Sequence, residues 1–71
     1  SPEKFARRIA ALQSHTGVSS YRIAKECGMG TSAVSKWNDF KRLPKIEILM
    51  KLADLFGCSV DYLVGRTNLP Y

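Results

Sequence analysis

The stretch SSYRIAKECGMGTSAVSKW, residues 19–37, predicts two short helices joined by a three-residue glycine turn. Ser19 is a suitable N-cap for the first helix, because its side-chain oxygen can accept a free backbone N–H of the opening turn. Gly28 can end that helix in the left-handed conformation, which glycine adopts without a Cβ penalty. Gly30 then allows a sharp turn, so that a second helix begins at Thr31.

The second of these helices has two different faces. Val34 and Trp37 are three residues apart and share an apolar face, which we expect in the core. The opposite face is small and polar and consists of Thr31, Ser32, Ser35 and Lys36. Such a face can enter the major groove of DNA, which is wide enough to admit a helix. A helical hairpin in any small all-α domain is the alternative interpretation.

The same stretch resembles the helix-turn-helix of the lambda-repressor-like (XRE) family of phage repressors. The matching features are the run GMGTSAVSKW and the residues Ala24, Gly28, Val34 and Trp37. A later segment, IEILMKLADLFGCSVDYLVGR, resembles the part that follows in this family, and the whole resemblance covers residues 5–66. It implies a compact all-α domain of five helices. The helix-turn-helix would span about residues 19–38, and the third helix, about Thr31 to Asn38, would enter the major groove.

The resemblance also implies which residues contact DNA. Base edges would be read by Thr31, Ser32 and Lys36, with Ser35 at the edge of the site. The phosphate backbone would be held by Ser20, Tyr21, Lys41 and Arg42, although partial burial of Tyr21 is an equal alternative. Lysine favours guanine O6 and N7, whereas Ser and Thr pair with several base edges. The family often has glutamine where this chain has Ser20 and Thr31, so the operator sequence does not follow from the resemblance.

The loop after Trp37 departs from the family. Asp39 stands where the family has an asparagine that commonly contacts phosphate, and an aspartate would be repelled there. Phe40 stands where the family has glycine, and phenylalanine enters a left-handed turn only at a cost. We therefore expect a rearranged loop and do not assign Asp39 to phosphate binding.

The bulk properties fit a single small domain, residues 1–71, that binds a polyanion. The net charge is +5, and nine of the eleven Lys and Arg residues lie in residues 1–45 against three acids. A basic front half suits a surface that faces nucleic acid. No apolar run approaches the roughly 20 residues that a bilayer crossing needs, and we find no signal peptide.

The two cysteines, Cys27 and Cys58, occupy apolar positions. We expect free thiols rather than a disulfide, which fits a reducing cytoplasm. Two cysteines and one histidine are too few for a closed zinc site with four protein ligands. We therefore predict no metal, no cofactor and a cytoplasmic protein.

The chemistry of an enzyme is not recognisable in this chain. We find no phosphate-cradling glycine loop, no paired carboxylates on one face and no nucleophile-base pair. The sequence therefore predicts a non-enzymatic, sequence-specific binder of duplex DNA that acts as a repressor of phage or prophage type. The alternative is an antitoxin-like or other protein-interaction module with the same fold. RNA binding is disfavoured, because no exposed aromatics are arranged to stack bases.

The remaining elements are predicted from their apolar periodicity. Helix one should run from about Pro2 to Ser14, with Lys4, Arg7 and Arg8 on a solvated face. Helix four should run from Ile46 to Phe56, and a short helix five from Val60 to Val64. The expected core stripe of helix four is Ile46, Leu49, Met50, Leu52, Ala53 and Phe56. The tail, residues 66–71, shows no clear structure.

A single recognition helix covers few base pairs, so we expect a homodimer on a palindromic operator. Its half-sites would lie about 34 Å apart, one turn of the duplex. The apolar residues left for the dimer contact are in the C-terminal third: Ile48, Leu55, Val60, Val64, Leu69 and Tyr71. Burial within the monomer is the alternative for these residues, and for Val60 and Val64 it is equally favoured.

Overall fold

The structure, a computed structural model, describes residues 1–39 and 42–71, and in these it contains helices and no strand. The helices are α1 (Pro2–Thr16), α2 (Ser20–Cys27), α3 (Thr31–Ser35), η1 (Lys36–Asp39), α4 (Ile46–Phe56) and α5 (Val60–Val64), of which η1 is a 3-10 helix. The expected all-α fold of five α-helices is confirmed. In the helix-turn-helix, α2 is followed by α3 and η1. Helix α2 packs against α4, and η1 packs against α1.

Serine caps begin three of the helices, among them the cap that the sequence led us to expect at Ser19. The side-chain oxygens of Ser1, Ser19 and Ser59 each accept the backbone N–H three residues further on. Such caps satisfy donors that have no partner within the helix. Helix α1 is about one half-turn longer than predicted, because it continues to Thr16 before the left-handed Gly17 ends it. Thr16 Oγ1 donates to the carbonyl of Leu12 at 2.7 Å.

The core lies where α1, α2, α4 and α5 meet, and Trp37 extends it under the recognition helix. Its largest fully buried side chains are Phe5, Ile9, Ile23, Leu52 and Leu63. Trp37 is only 5% exposed, and its ring meets Phe5 edge to face with centroids 5.3 Å apart. Such aromatic pairs contribute about 0.5–1.5 kcal/mol beyond the area they bury. The predicted inward facing of Trp37 is confirmed.

The expected core stripe of α4 is wrong at two positions. Ile46 and Met50 are 55% and 56% exposed, whereas Ile48 and Leu55, which we expected to be left over, pack against the core. At 100° per residue these pairs lie on opposite edges of the stripe formed by Leu49, Leu52, Ala53 and Phe56. The helix is apolar beyond both edges, so the sequence did not indicate which edge is covered.

Two further candidates for the dimer contact also belong to the monomer core. Val60 and Val64 on α5 are partly buried and pack against the core cluster. Their burial within the monomer, the alternative interpretation, is the one that the structure supports. Leu69 and Tyr71 in the tail remain exposed.

Arg8 is not the solvated residue that we predicted. Its guanidinium carbon lies 4.0 Å from the centre of the Tyr62 ring, and its Nη2 donates to Asn68 Oδ1 at 2.9 Å. Its Nη1 is buried without a hydrogen-bond partner among the described residues. A cation over an aromatic face is attracted by the ring quadrupole, which offsets part of the cost of that burial.

The tail has a definite path instead of the absence of structure that we expected. The backbone N–H of Ser59 donates to the carbonyl of Pro70 at 2.7 Å, so the tail folds back to the start of α5. At the end of that helix Gly65 has φ +84°, and a Cβ there would lie 2.6 Å from Cδ of Lys4. The close contact between α1 and α5 therefore requires glycine at this position.

Candidate nucleic-acid interface

The turn between α2 and α3 has the geometry that its two glycines predict. Gly28 is left-handed, with φ +65°, and the N–H of Met29 donates to the carbonyl of Ala24 at 2.9 Å. This is the six-to-one hydrogen bond of a Schellman motif, which satisfies a free carbonyl at the end of α2. Gly30 is extended and precedes Thr31 at the start of α3.

The predicted base-reading residues all lie on the surface. Val34 is 2% exposed and, like Trp37, belongs to the core, so the apolar face of this segment is buried as predicted. The residues of the opposite face are all exposed: Thr31, Ser32, Ser35 and Lys36. The structure thus presents the four side chains together on one accessible face, whereas their contacts with DNA stay a prediction.

The recognition helix differs from the expected continuous α-helix over residues 31–38. Only Thr31–Ser35 is α-helical, and the chain continues as the 3-10 helix Lys36–Asp39. The β-branched and short polar residues of α3 are weak helix formers, and Gly30 supplies no side-chain cap. A tighter 3-10 turn is common at such a helix end. Lys36 therefore stands at the junction of the two helices.

Hydrogen bonding within α3 restricts what Ser35 can offer to a base. Its hydroxyl donates to the carbonyl of Thr31 at 3.2 Å. Because a hydroxyl has one proton and two lone pairs, Ser35 in this conformation can only accept a further hydrogen bond. No such bond engages the side chains of Thr31 and Ser32 among the described residues.

The predicted phosphate ligands fall into different environments. Tyr21 is 68% exposed, so its partial burial, the alternative interpretation, is wrong. Arg42 is also exposed, whereas Ser20 is half-buried and its Oγ accepts a hydrogen bond from Nε2 of Gln13 at 3.2 Å. The predictions for Lys41, for Phe40 and for the side chain of Asp39 lie outside what the structure describes.

A groove beside α3 has an apolar lining and a further cation, Lys45, neither of which we predicted from the sequence. Its lining is mostly apolar and includes three cations: Lys36, Arg42 and Lys45. Lys45, which precedes α4 and is exposed, is not among the predicted phosphate ligands. The signal available in the sequence was its position three residues after Arg42, a predicted phosphate ligand; the structure places both residues in the lining of one groove with Lys36. Three cations beside the polar face of α3 favour an anionic partner.

The cysteines are free thiols, as predicted. Cys27 is buried and Cys58 is partly buried. Burial raises the pKa of the Cys27 thiol, against a smaller lowering by Lys51, and burial likewise raises the pKa of Cys58. Neutral thiols are poor nucleophiles, since the thiolate is the reactive form. In the two described ranges no helix has both the length and the apolar character that a membrane crossing requires.

Three curated proteins with significant similarity are regulators by name. The cryptic phage CTXphi transcriptional repressor RstR of Vibrio cholerae is 30% identical over 63 residues, which is 89% of this chain and 56% of that protein. The HTH-type transcriptional regulator ImmR of Bacillus subtilis is 25% identical over 63 residues, 89% of this chain and 50% of that protein. The SPbeta prophage-derived uncharacterized HTH-type transcriptional regulator YonR of Bacillus subtilis is 27% identical over 67 residues, 94% of this chain and 62% of that protein.

The chain thus spans between half and two thirds of the length of these relatives. No solved structure matches it significantly. The family model described as helix-turn-helix matches residues 10–63, which include α2, α3 and α4. This match covers most of the chain and confirms the resemblance found in the sequence: the protein belongs to the helix-turn-helix family of the XRE type.

Proposed function

We propose that this domain binds duplex DNA sequence-specifically and acts as a transcriptional repressor of phage or prophage type. One observation carries the proposal: the four predicted base-reading side chains are all exposed on the face of α3 and η1 opposite the buried Val34 and Trp37. A helix that presents short polar side chains outward fits into a major groove and reaches base edges. The names of the three relatives support a role in transcription.

The hydrogen-bonding groups on this face determine which base edges it can recognise. Lys36 donates and pairs best with guanine O6 and N7. Thr31 and Ser32 have hydroxyls that can donate or accept, so they are compatible with several base edges. Ser35 is an acceptor in its present conformation and would pair with an amino group of cytosine or adenine.

Phosphate contacts flank this face. Ser20 opens α2, where backbone N–H groups and the positive end of the helix dipole attract an anion. Tyr21 is exposed beside it, and Arg42 lies with Lys45 beside α3. With Lys41, these residues would fix the register of the protein on the duplex, because phosphate contacts position and base contacts specify.

A homodimer on a palindromic operator forms part of the proposal. Among the residues whose burial the structure describes, the exposed apolar ones that remain for its contact are Ile46, Met50, Leu69 and Tyr71, since the other four candidates pack within the monomer. Standard interfaces bury about 1,600 Å², so a set of four residues suggests weak self-association in the absence of DNA.

The deciding experiment is selection of bound sequences from a random duplex library. We expect a palindromic motif whose half-site centres are about 10 base pairs apart. Lys36→Ala should relax the preference at one position of each half-site. Lys51→Ala, which removes the same charge from an exposed position on α4, should leave the motif unchanged. Absence of any enrichment would refute the proposal and favour the protein-interaction module.

A further inference from the structure

Gln13 ties the end of α1 to the start of α2. Its backbone carbonyl accepts the N–H of Gly17 at 2.8 Å, and this bond closes α1. Its side-chain Nε2 donates to the carbonyl of Val18 and to Oγ of Ser20, both at 3.2 Å. One residue therefore holds both sides of the short connection that ends at the N-terminus of α2.

The carbonyl of Val18 determines which way the Gln13 amide points. An amide nitrogen has two hydrogens, and here one goes to Val18 and the other to Ser20. If the amide were turned over, its oxygen would face the carbonyl oxygen of Val18, and two acceptors would meet without a proton. The nitrogen must therefore face Ser20 as a donor.

This orientation determines what Ser20 does with its own proton. A hydroxyl has two lone pairs and one proton, and Gln13 occupies a lone pair. The proton cannot return to the donating nitrogen, and the free backbone groups at the start of α2 are N–H donors as well. Among the described residues, Ser20 donates no hydrogen bond to another group. Its proton therefore remains available for an acceptor outside the protein.

We propose that Gln13 is a positioning residue for DNA binding, which holds Ser20 as a hydrogen-bond donor to a backbone phosphate. The inference rests on the proposed function. Gln13 would support DNA binding through Ser20 and would make no contact with DNA itself. The N–H of Gln13 also polarises the Ser20 hydroxyl, since hydrogen bonds in a chain strengthen one another. A phosphate oxygen is a strong acceptor and carries no sequence information, so the effect should not depend on the DNA sequence.

The test is a double-mutant cycle of Gln13→Met and Ser20→Ala. Methionine matches glutamine in length and flexibility but donates no hydrogen bond. We expect Gln13→Met to weaken binding by about threefold to tenfold, the range of one modest hydrogen bond, on both a selected and a random duplex. In the Ser20→Ala background the same change should cause no further loss, because coupled residues are not additive.

Thr16→Val is the matched control. Thr16 Oγ1 also supports the α1–α2 connection, since it donates to the carbonyl of Leu12 and accepts the N–H of Val18 at 3.3 Å. It makes no hydrogen bond with Ser20. We expect Thr16→Val to lower the urea midpoint without changing the affinity for DNA in conditions where the protein is folded.

A second variant covers the case that Gln13→Met does not fold. In Gln13→Glu the carboxylate would accept the proton of Ser20, so Ser20→Ala should then cost no affinity in that background. The inference is overturned if folded Gln13→Met binds as the wild type does, if its loss persists without the Ser20 hydroxyl, or if Thr16→Val weakens binding equally. If the wild type binds no duplex at all, the proposed function fails, and the inference fails with it.

Discussion

Replacing Trp37 by alanine tests the division between the buried and the exposed face of the recognition segment. Trp37 is 5% exposed and meets Phe5 edge to face, so its removal leaves a large cavity between η1 and α1. Truncation of a buried large aromatic costs about 3–5 kcal/mol. At about 0.05–0.15 kcal/mol per residue, the 71 residues provide roughly 4–11 kcal/mol in total. The variant should therefore be close to unfolded or clearly destabilised.

Urea denaturation followed by far-UV circular dichroism measures this loss. Trp37→Phe is the companion variant, because it keeps an aromatic ring against Phe5 and should lose much less stability. Trp37 is the only tryptophan, so the fluorescence of the wild type reports its environment directly. We expect a blue-shifted emission, typical of a buried indole, that does not change on addition of DNA.

Two results would refute this reasoning. One is a Trp37→Ala variant that keeps the wild-type urea midpoint and yet loses DNA binding, since Trp37 would then contact DNA. The other is quenching of the Trp37 emission by duplex DNA in the wild type. Either result would mean that the face carrying Val34 and Trp37 is not the buried one.

Three further predictions concern the surfaces that remain exposed. Lys36→Ala should cost about 1–3 kcal/mol on the preferred site and little on random duplex; equal losses on both would make Lys36 a phosphate ligand. The double variant Lys41→Ala, Arg42→Ala should bind all duplexes more weakly and to the same extent. The slope of log K against log salt should fall in magnitude by about 0.9 for each phosphate that the variant no longer neutralises. An unchanged slope would mean that this loop turns away from DNA. Leu69→Ser with Tyr71→Ser should reduce cooperative binding to a palindromic site in a gel-shift titration while the thermal unfolding curve is kept; unchanged cooperativity would place the dimer interface elsewhere, with Ile46 and Met50 of α4 as the next candidates.

The helix-turn-helix could be predicted because its determinants are local. Ser19 caps α2 through the N–H of Arg22, three residues away, and Gly28 ends the helix through its own left-handed conformation. The inward facing of Val34 and Trp37 follows from their spacing within one helical segment. These features act within a few residues of chain, so the pattern alone determines them.

The features that the sequence did not predict involve partners far apart in the chain. Arg8 donates to Asn68, sixty residues later, and Gly65 is required by the side chain of Lys4 on α1. Periodicity shows that Arg8 lies beside the apolar face of α1, but not that Tyr62 and the tail cover that position. A basic residue at the edge of an apolar face has the same pattern whether water or an aromatic ring lies over it.

Gln13 shows why part of the proposed site could not be predicted from the sequence. It follows Ile9 by four residues and so lies beside the inward face of α1, where an amide requires partners. The sequence therefore indicates that the Gln13 amide needs hydrogen-bond partners. Which groups these are, here the carbonyl of Val18 and the hydroxyl of Ser20, depends on the angle at which α2 leaves the connection. This angle is set by tertiary contacts of α2 with α3 and α4. A residue type can therefore indicate that a hydrogen bond is needed, whereas only the fold shows that Ser20 receives this bond. That the proton of Ser20 then goes to a phosphate is the proposal that the double-mutant cycle tests.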